Sequence, residues 1–359
     1  MDLSIESDST VYVVLTHQPC RDGLVASMCA RKYYTRFAKH ALVPMFWGVE
    51  PSKQVGDIKS FMEKIKANDP ENKIRRVNIE SFDIAFNPET IINMINHNSQ
   101  YQFNIRIMDH HKSSLDSWKT PTLDCYTTKF DANLLNVYKR VMKVNNNDVE
   151  FINNMEECGA SLAWKYYFPN EQVPLFIKYV RDRDNWLFDT DGAKARNSME
   201  VNEYLMGTSP KYDDYLAWFA YFDKDATFFE QAYQGGKTLL NAKNNFVNMI
   251  MGVGTNRKIG EHTVFVCNAP ILMSDVGNTV CDKYNLIKNL NDDDDATKQY
   301  LCDYAMIWRY DEKCRKYCVS LRSRKGGVDV QEIAKKYNGG GHINASGFET
   351  DNINFLNLS

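Results

Sequence analysis

His17, Cys20 and Asp22 fall within six residues, directly after the apolar run VYVVLT and just before a helix-like segment. Asp83 follows RRVNIESF, the tripeptide Asp109-His110-His111 follows IRIM, and Asp182 stands in the charged end of IKYVRDRDNW. Carboxylates and imidazoles are the ligands that hard and borderline divalent cations take. The thiol widens the choice at the first cluster to a thiolate nucleophile, a zinc ligand or an odd member of a carboxylate site. For the tripeptide alone, a buried histidine satisfied by a neighbouring carboxylate is an equally good reading. Position separates these readings, because open α/β sheets keep their sites outside the carboxyl ends of the strands. At such an edge His17, Asp22, Asp83, Asp109, His110 and Asp182 would converge, and unpaired carboxylates there would repel. Two cations would offset that repulsion and clamp a group for in-line attack on phosphorus. A thiolate phosphatase loop would need an arginine six residues after Cys20, where Ala26 stands, so that reading is poor.

The elements that must place these residues are legible as alternating segments. VYVVLT, VPMFWG, RRVNIESF and FNIRIM read as strands, and the segments starting GLVASM, QVGDIK and PETIIN read as helices. This alternation predicts an α/β chain whose N-terminal part is a doubly wound, mostly parallel sheet with flanking helices. Its strands are short apolar runs because both faces are covered. From about Asn133 to Phe168 the pattern reads as helical, and again from Asp213 to Met251. Beyond Gly254 come short strands, a hairpin turning at DEKC, a helix VDVQEIAKKY and the glycine-rich YNGGGHINASGF. The expected organisation is a metal-binding domain over 1–225, a helical linker over 226–253 and a smaller mixed-sheet α/β domain over 254–359. Arg322 or Arg324 in RSRKGG can offer a fork of donors to phosphate oxygens. The glycines of NGGGHINASG let backbone N–H groups approach an anion, although a glycine-rich loop by itself is more often a tight turn.

Bulk properties bound the rest. At 359 residues the chain is long enough for two cores. A formal charge of -3 with 25% charged residues gives no general affinity for polyanions and argues against long nucleic acid as a ligand. MDLSIESDST is no signal peptide and no apolar window reaches about 18 residues, so the expected location is the cytoplasm, without membrane contact. Nine cysteines scattered from Cys20 to Cys318 are expected as reduced thiols. Cys314 and Cys318 lie on the predicted hairpin with no histidine nearby, so a zinc site is not expected there. NDDDD at 291–295 reads as a solvated loop, with a cation site as its rival. Trp186 or Tyr337 could stack on a base, and core packing explains either aromatic at least as well.

With these pieces in order, the sequence resembles the DHH phosphoesterase superfamily over nearly its whole length. MDHHKSS matches the name-giving motif, FDIAFNPETI the second motif, and ECGASLAWKYYFP with YVRDRDNW the helix and fourth motif. CNAPILMSDVGN, VSLRSRKGGVDVQEIAKKY and GGGHINASGF resemble the DHH-associated C-terminal domain. The resemblance implies two divalent metal ions, Mn²⁺ first and Mg²⁺, Co²⁺ or Zn²⁺ as substitutes. Their implied ligands are His17, Cys20, Asp22, Asp83, His110 and Asp182, with Asp83 bridging and Asp184 in reserve. Asp109 and His111 are the implied catalytic pair, orienting the metals or contacting the scissile phosphate. Arg322, Ser323, Gly340, Gly341 and His342 would hold the substrate, with the active site in the cleft between the domains. Most members carry Asp where Cys20 stands; HQPCRDG instead resembles the branch with a Cys-x-Asp-Gly first motif. Asn338 stands at a position that is often glycine. The implied activity is a metal-dependent phosphodiesterase or exonuclease acting through activated water on short single-stranded oligonucleotides, the short-RNA class included, or on dinucleotides. The alternatives are an exopolyphosphatase or small-molecule phosphatase of the same fold, and a catalytically weak nucleic-acid-binding member. A homodimer is compatible with all of them.

Overall fold

The computed structural model describes residues 9–18, 20–37, 44–49, 54–119, 126–128, 137–207, 217–219, 222, 224–282 and 302–356. The chain divides into two compact units, Met1–Leu239 and Leu240–Ser359.

The first unit begins with β1 (Thr10–His17), α1 (Arg21–Phe37), β2 (Met45–Val49), α2 (Gln54–Ala67), β3 (Arg76–Phe82), α3 (Pro88–His97), β4 (Gln102–Asp109) and α4 (Lys112–Lys119). It continues with β5 (Tyr126–Thr128), β6 (Tyr138–Val144), β7 (Asn147–Asn153), α5 (Gly159–Tyr167), α6 (Leu175–Asp184), α7 (Asp191–Ala195) and α8 (Ser198–Gly207). The seven strands form one sheet in the order β2-β1-β3-β4-β7-β6-β5. The first five are parallel, and β6 and β5 extend the edge antiparallel. From β1 the chain steps outward to β2 and then returns to the other side of β1 as β3. The strand order therefore reverses between β1 and β3, and a crevice opens at their carboxyl ends.

Period-two alternation sorts the strand residues between two cores. Val11, Val13 and Leu15 join Phe61, Ile65, Ile91 and Ile95 of α2 and α3 on one face. Val14 joins Val25, Ala163, Trp164, Ile177 and Val201 of α1, α5, α6 and α8 on the other. α3 begins as its sequence predicts: Asn87 caps the Thr90 N–H at 2.8 Å and Pro88 occupies the first turn, where a missing N–H costs nothing.

One expectation fails here. The helical reading from Asn133 is wrong over 137–153, where VYKRVMKVNNNDVEFIN folds as the β6–β7 hairpin. Its apolar residues alternate by two, and the Asn145-Asn146 turn places Asn145 at φ +53, a conformation asparagine tolerates. The NDDDD run, residues 291–295, lies outside the described residues.

Helix α9 (Ala226–Met251) runs from the first unit into the second. The second unit then adds β8 (Thr255–Ile259), β9 (His262–Asn268), α10 (Met273–Asp282), β10 (Tyr304–Asp311), β11 (Lys316–Arg322), α11 (Val330–Lys335), β12 (Gly340–His342) and β13 (Ala345–Thr350). Its six strands form a mixed sheet in the order β12-β13-β11-β10-β9-β8, with β9 and β10 the parallel pair. Val330 and Ala334 of α11 pack on one face, and Val276 and Val280 of α10 on the other. Tyr337 stacks on Phe348 at 4.2 Å against the first of these cores, so packing accounts for this aromatic.

Candidate metal centre

The carboxyl ends of β1, β3 and β4 deliver the chemistry. His17 closes β1, Asp83 follows β3 and Asp109 closes β4. Asp83 adopts φ +62, a left-handed conformation that Asp reaches more readily than most residues. This turns its carboxylate between two imidazoles. His17 Nδ1 lies 3.3 Å from Oδ2, and His110 Nε2 lies 3.1 Å from Oδ1. Asp83 is 2% exposed, yet its Oδ2 accepts no well-formed hydrogen bond. A buried carboxylate oxygen left in that state is costly unless a cation completes it.

Three groups of ligand atoms form around Asp83, each within 4.8 Å: His17, Cys20 and Asp83; Asp83, Asp109, His110 and His111; Asp22, His110 and Asp184. Asp83 and His110 each belong to two groups, so these eight residues form one continuous cluster. Asp22 has a second task. From the first turn of α1 its two oxygens accept the Gly159 and Ala160 N–H groups, the latter at 2.8 Å, and so neutralise the N-terminus of α5.

Asp182, the expected ligand, lies outside the cluster. It is fully buried, and Arg196 grips both of its oxygens, with Nε at 2.7 Å, while Ser198 Oγ donates at 2.6 Å. Asp184 takes the place facing the site, with Oδ2 3.3 Å from His110 Nε2. Helical residues two apart point to opposite sides, so only one of the pair could face the crevice. The sequence does not say which, because Arg196 arrives at the end of α7 and Ser198 at the start of α8.

Sequence reasoning also missed the residues that brace the tripeptide. Asn153 Nδ2 donates to the His111 carbonyl at 3.1 Å, and the Asn154 N–H donates to the Asp109 carbonyl at 3.1 Å. Both stand at the end of β7, the hairpin read as helix. Asp109 in turn holds His111 Nδ1 at 2.9 Å, and the two histidine rings lie 4.3 Å apart.

Protons record the crowding of charge. Burial, then the charges of Asp83 and Asp184, raise the Asp22 carboxyl well above its usual value. Burial raises that of Asp184, which Asp83 pushes further. Burial, reinforced by Asp83, Asp22 and Asp184, pushes the Cys20 thiol up. Burial opposes charge on His110, but its bond to Asp83 and the surrounding carboxylates win and raise it to about 10. Burial likewise opposes ionisation of Asp83, and the two imidazoles beside it, His110 and His17, overcome it and hold the carboxyl well below the usual range. The donor set therefore fits divalent cations, which would replace protons on these groups. A group that must lose its proton to coordinate binds metal better as pH rises toward its pKa. Metal uptake at neutral pH should accordingly release protons, and affinity should increase with pH and level off only above about 10, where His110 is half deprotonated. Titration calorimetry in buffers of different ionisation enthalpy measures this; uptake with no proton release would contradict the assignment.

The approach of α5 is close enough to demand a glycine. A Cβ on Gly159 would lie 2.4 Å from Asp83 Cβ and 2.9 Å from Asp22 Oδ2. Gly159→Ala should therefore cost about 1–3 kcal/mol of stability by overpacking and displace two candidate ligands together. Thermal melting and a metal titration on the same sample would test it, and an unchanged metal affinity would show that α5 does not set the cluster's geometry.

In the second unit, Arg322 donates to Ser320 Oγ at 3.0 Å, the Leu321 carbonyl at 2.8 Å and Ser274 Oγ at 2.8 Å, so its fork is fixed in direction. Ser323 is turned inward: its hydroxyl donates to the Val328 carbonyl at 2.6 Å and accepts from Asn344 at 2.7 Å. These bonds hold the loop in place. Gly340, Gly341 and His342 form the edge strand β12, and Gly341 at φ +139 needs to be glycine. Asn338 lies at φ +59, which explains an asparagine at a position often glycine.

Residues 295–358 match the DHHA1 domain. Along 98% of its length the chain is 23% identical to the uncharacterized protein R106 of Acanthamoeba polyphaga mimivirus, of which it spans 70%. Among solved structures it is similar to the pGpG-specific phosphodiesterase PggH from Vibrio cholerae (10% identity, TM-score 0.38, 96% of each chain covered). It is also similar to CDC45 from Entamoeba histolytica (8% identity, TM-score 0.43, 98% of this chain and 94% of that one). No helix among the described residues is long and apolar enough to cross a membrane.

Proposed function

We propose that the chain is a metal-dependent phosphoesterase that hydrolyses phosphodiester bonds of short single-stranded oligonucleotides or dinucleotides. The observation that carries this reading is Asp83, buried between His17 and His110 and shared by two groups of ligand atoms. His17, Cys20 and Asp83 would hold one cation, and Asp22, Asp83, His110 and Asp184 the other, with Mn²⁺ the first candidate. When bound, such a pair supplies Lewis acidity and an activated water for attack on phosphorus.

The remaining work falls to side chains. Asp109 fixes the His111 ring through Nδ1, which directs Nε2 toward a phosphoryl oxygen. Burial opposes a charge on His111, but the Asp109 carboxylate raises its pKa and so favours the protonated ring where negative charge builds up. Asp22 keeps the α5 N-terminus seated beside the cluster. In the second unit, Arg322 and the glycines of β12 offer donors suited to a phosphate.

The test is a rate ranking. Purified protein with Mn²⁺ is incubated with 5′-phosphorylated short RNA and DNA, linear and cyclic dinucleotides, pyrophosphate and polyphosphate. Fastest turnover of short oligonucleotides or linear dinucleotides is the expected result. Fastest turnover of polyphosphate would replace it with an exopolyphosphatase, and metal uptake with no turnover of any substrate would favour a binding protein.

A further inference from the structure

A second group of ligand atoms lies in the other unit, at the tip of the β10–β11 hairpin. Asp311 ends β10, Cys314 sits in the turn and Cys318 lies on β11; one carboxylate oxygen and the two sulfurs fall within 4.8 Å of one another. Arg315 at φ +56 closes the turn, and Asp311 pairs across it with Lys316. Asp311 Oδ1 accepts the Lys313 N–H at 3.0 Å, and the Cys314 thiol reaches back to the Asp311 carbonyl at 3.9 Å. Cys314 is exposed at the hairpin tip, and its thiol leans back toward the end of β10. A further carboxylate stands next door, outside that group of three. Glu349 of β13 is directly opposite Cys318 in the ladder, which places it on the same face with Cβ atoms about 5 Å apart. Arg309, opposite Cys318 on β10, supplies the competing positive charge, with Nη2 3.0 Å from Asp311 Oδ2.

We propose that Cys314, Cys318 and Asp311 form a soft-cation site of the Zn²⁺ class, with Glu349 as the fourth ligand. The Cys-x₃-Cys spacing lies within the range of zinc-binding turns. Tetrahedral coordination at about 2.3 Å to sulfur puts neighbouring ligand atoms about 3.7 Å apart, so side-chain rotations of roughly an ångström complete the site. Two thiols ionise on binding and their protons pass to solvent; no electrons are transferred. The ion would tie the hairpin tip to β11 and, through Glu349, to β13. The histidine that the sequence reading required there is replaced by two carboxylates, one of which only the strand register brings near.

The experiment uses the reduced full-length protein with Cd²⁺ as probe, following the thiolate-to-metal absorption and the stoichiometry by native mass spectrometry. Cys314→Ser and Cys318→Ser should each remove one bound equivalent and most of the absorption. Asp311→Asn and Glu349→Gln should weaken that equivalent about tenfold, and Arg309→Gln should strengthen it. Cys20→Ser should leave it intact, which separates this site from the cluster around Asp83. Circular dichroism establishes that the exposed-hairpin variants fold. Unchanged stoichiometry and absorption in the Cys314→Ser, Cys318→Ser double variant would overturn the proposal, as would a Cys314–Cys318 disulfide forming in a protein whose reduced state takes up no Cd²⁺.

Discussion

Asp83→Asn is expected to lower phosphoester turnover by at least about 10²–10³-fold, the loss that follows removal of a single well-placed electrostatic group. The effect should be large because Asp83 serves both neighbouring groups of ligand atoms and touches both His17 and His110. The fold should survive. Asn tolerates φ +62 as Asp does, and neutralising one member of a crowded acidic cluster relieves repulsion with Asp22 and Asp184. Asp83→Ala is the less clean variant, since alanine at that backbone adds about 1–2 kcal/mol of strain. Turnover at saturating Mn²⁺, bound metal by elemental analysis and a thermal melt form the measurement. A folded Asp83→Asn protein with near-normal turnover would sink the two-metal reading.

Asp182 and Asp184 should separate stability from chemistry. Asp182→Ala leaves Arg196 without its carboxylate and Ser198 without an acceptor. Breaking a buried pair costs about 3–5 kcal/mol, and the lower end applies because the Arg196 side chain is 19% exposed. The melting temperature of the first unit should fall by roughly 6–12 °C. Asp184→Asn should do the opposite. Its side chain is 27% exposed and faces His110 at 3.3 Å, so its loss leaves the melt of the metal-free protein unchanged or higher while metal affinity drops at least about tenfold. A stable Asp182→Ala protein that fails to bind metal, beside an Asp184→Asn protein that binds normally, would restore Asp182 as the ligand.

Both tests depend on distinctions that the one-dimensional pattern could not make. His17, Asp83 and Asp109 were legible because apolar runs of strand length stop at them, and a parallel sheet brings such stops to one edge. The hairpin at 138–153 was misread although its alternation is plain, because the helix-like GASLAWKYYF that follows blurred the change of period. Asn153 and Asn154 were lost with it.

The sequence by itself determined the strand–helix alternation, the residue types at three strand ends and the resemblance to the DHH superfamily. These are local properties: a period of two or of 3.6, and chemistry at the point where apolar runs end. Only the tertiary structure decided which of Asp182 and Asp184 faces the cluster, that Asp22 also caps α5, and that Ser323 turns inward. It also decided that Asp311 and Glu349 come to stand beside Cys314 and Cys318. Each of these depends on partners far along the chain or across a sheet register, and no local pattern encodes the side on which such a partner arrives.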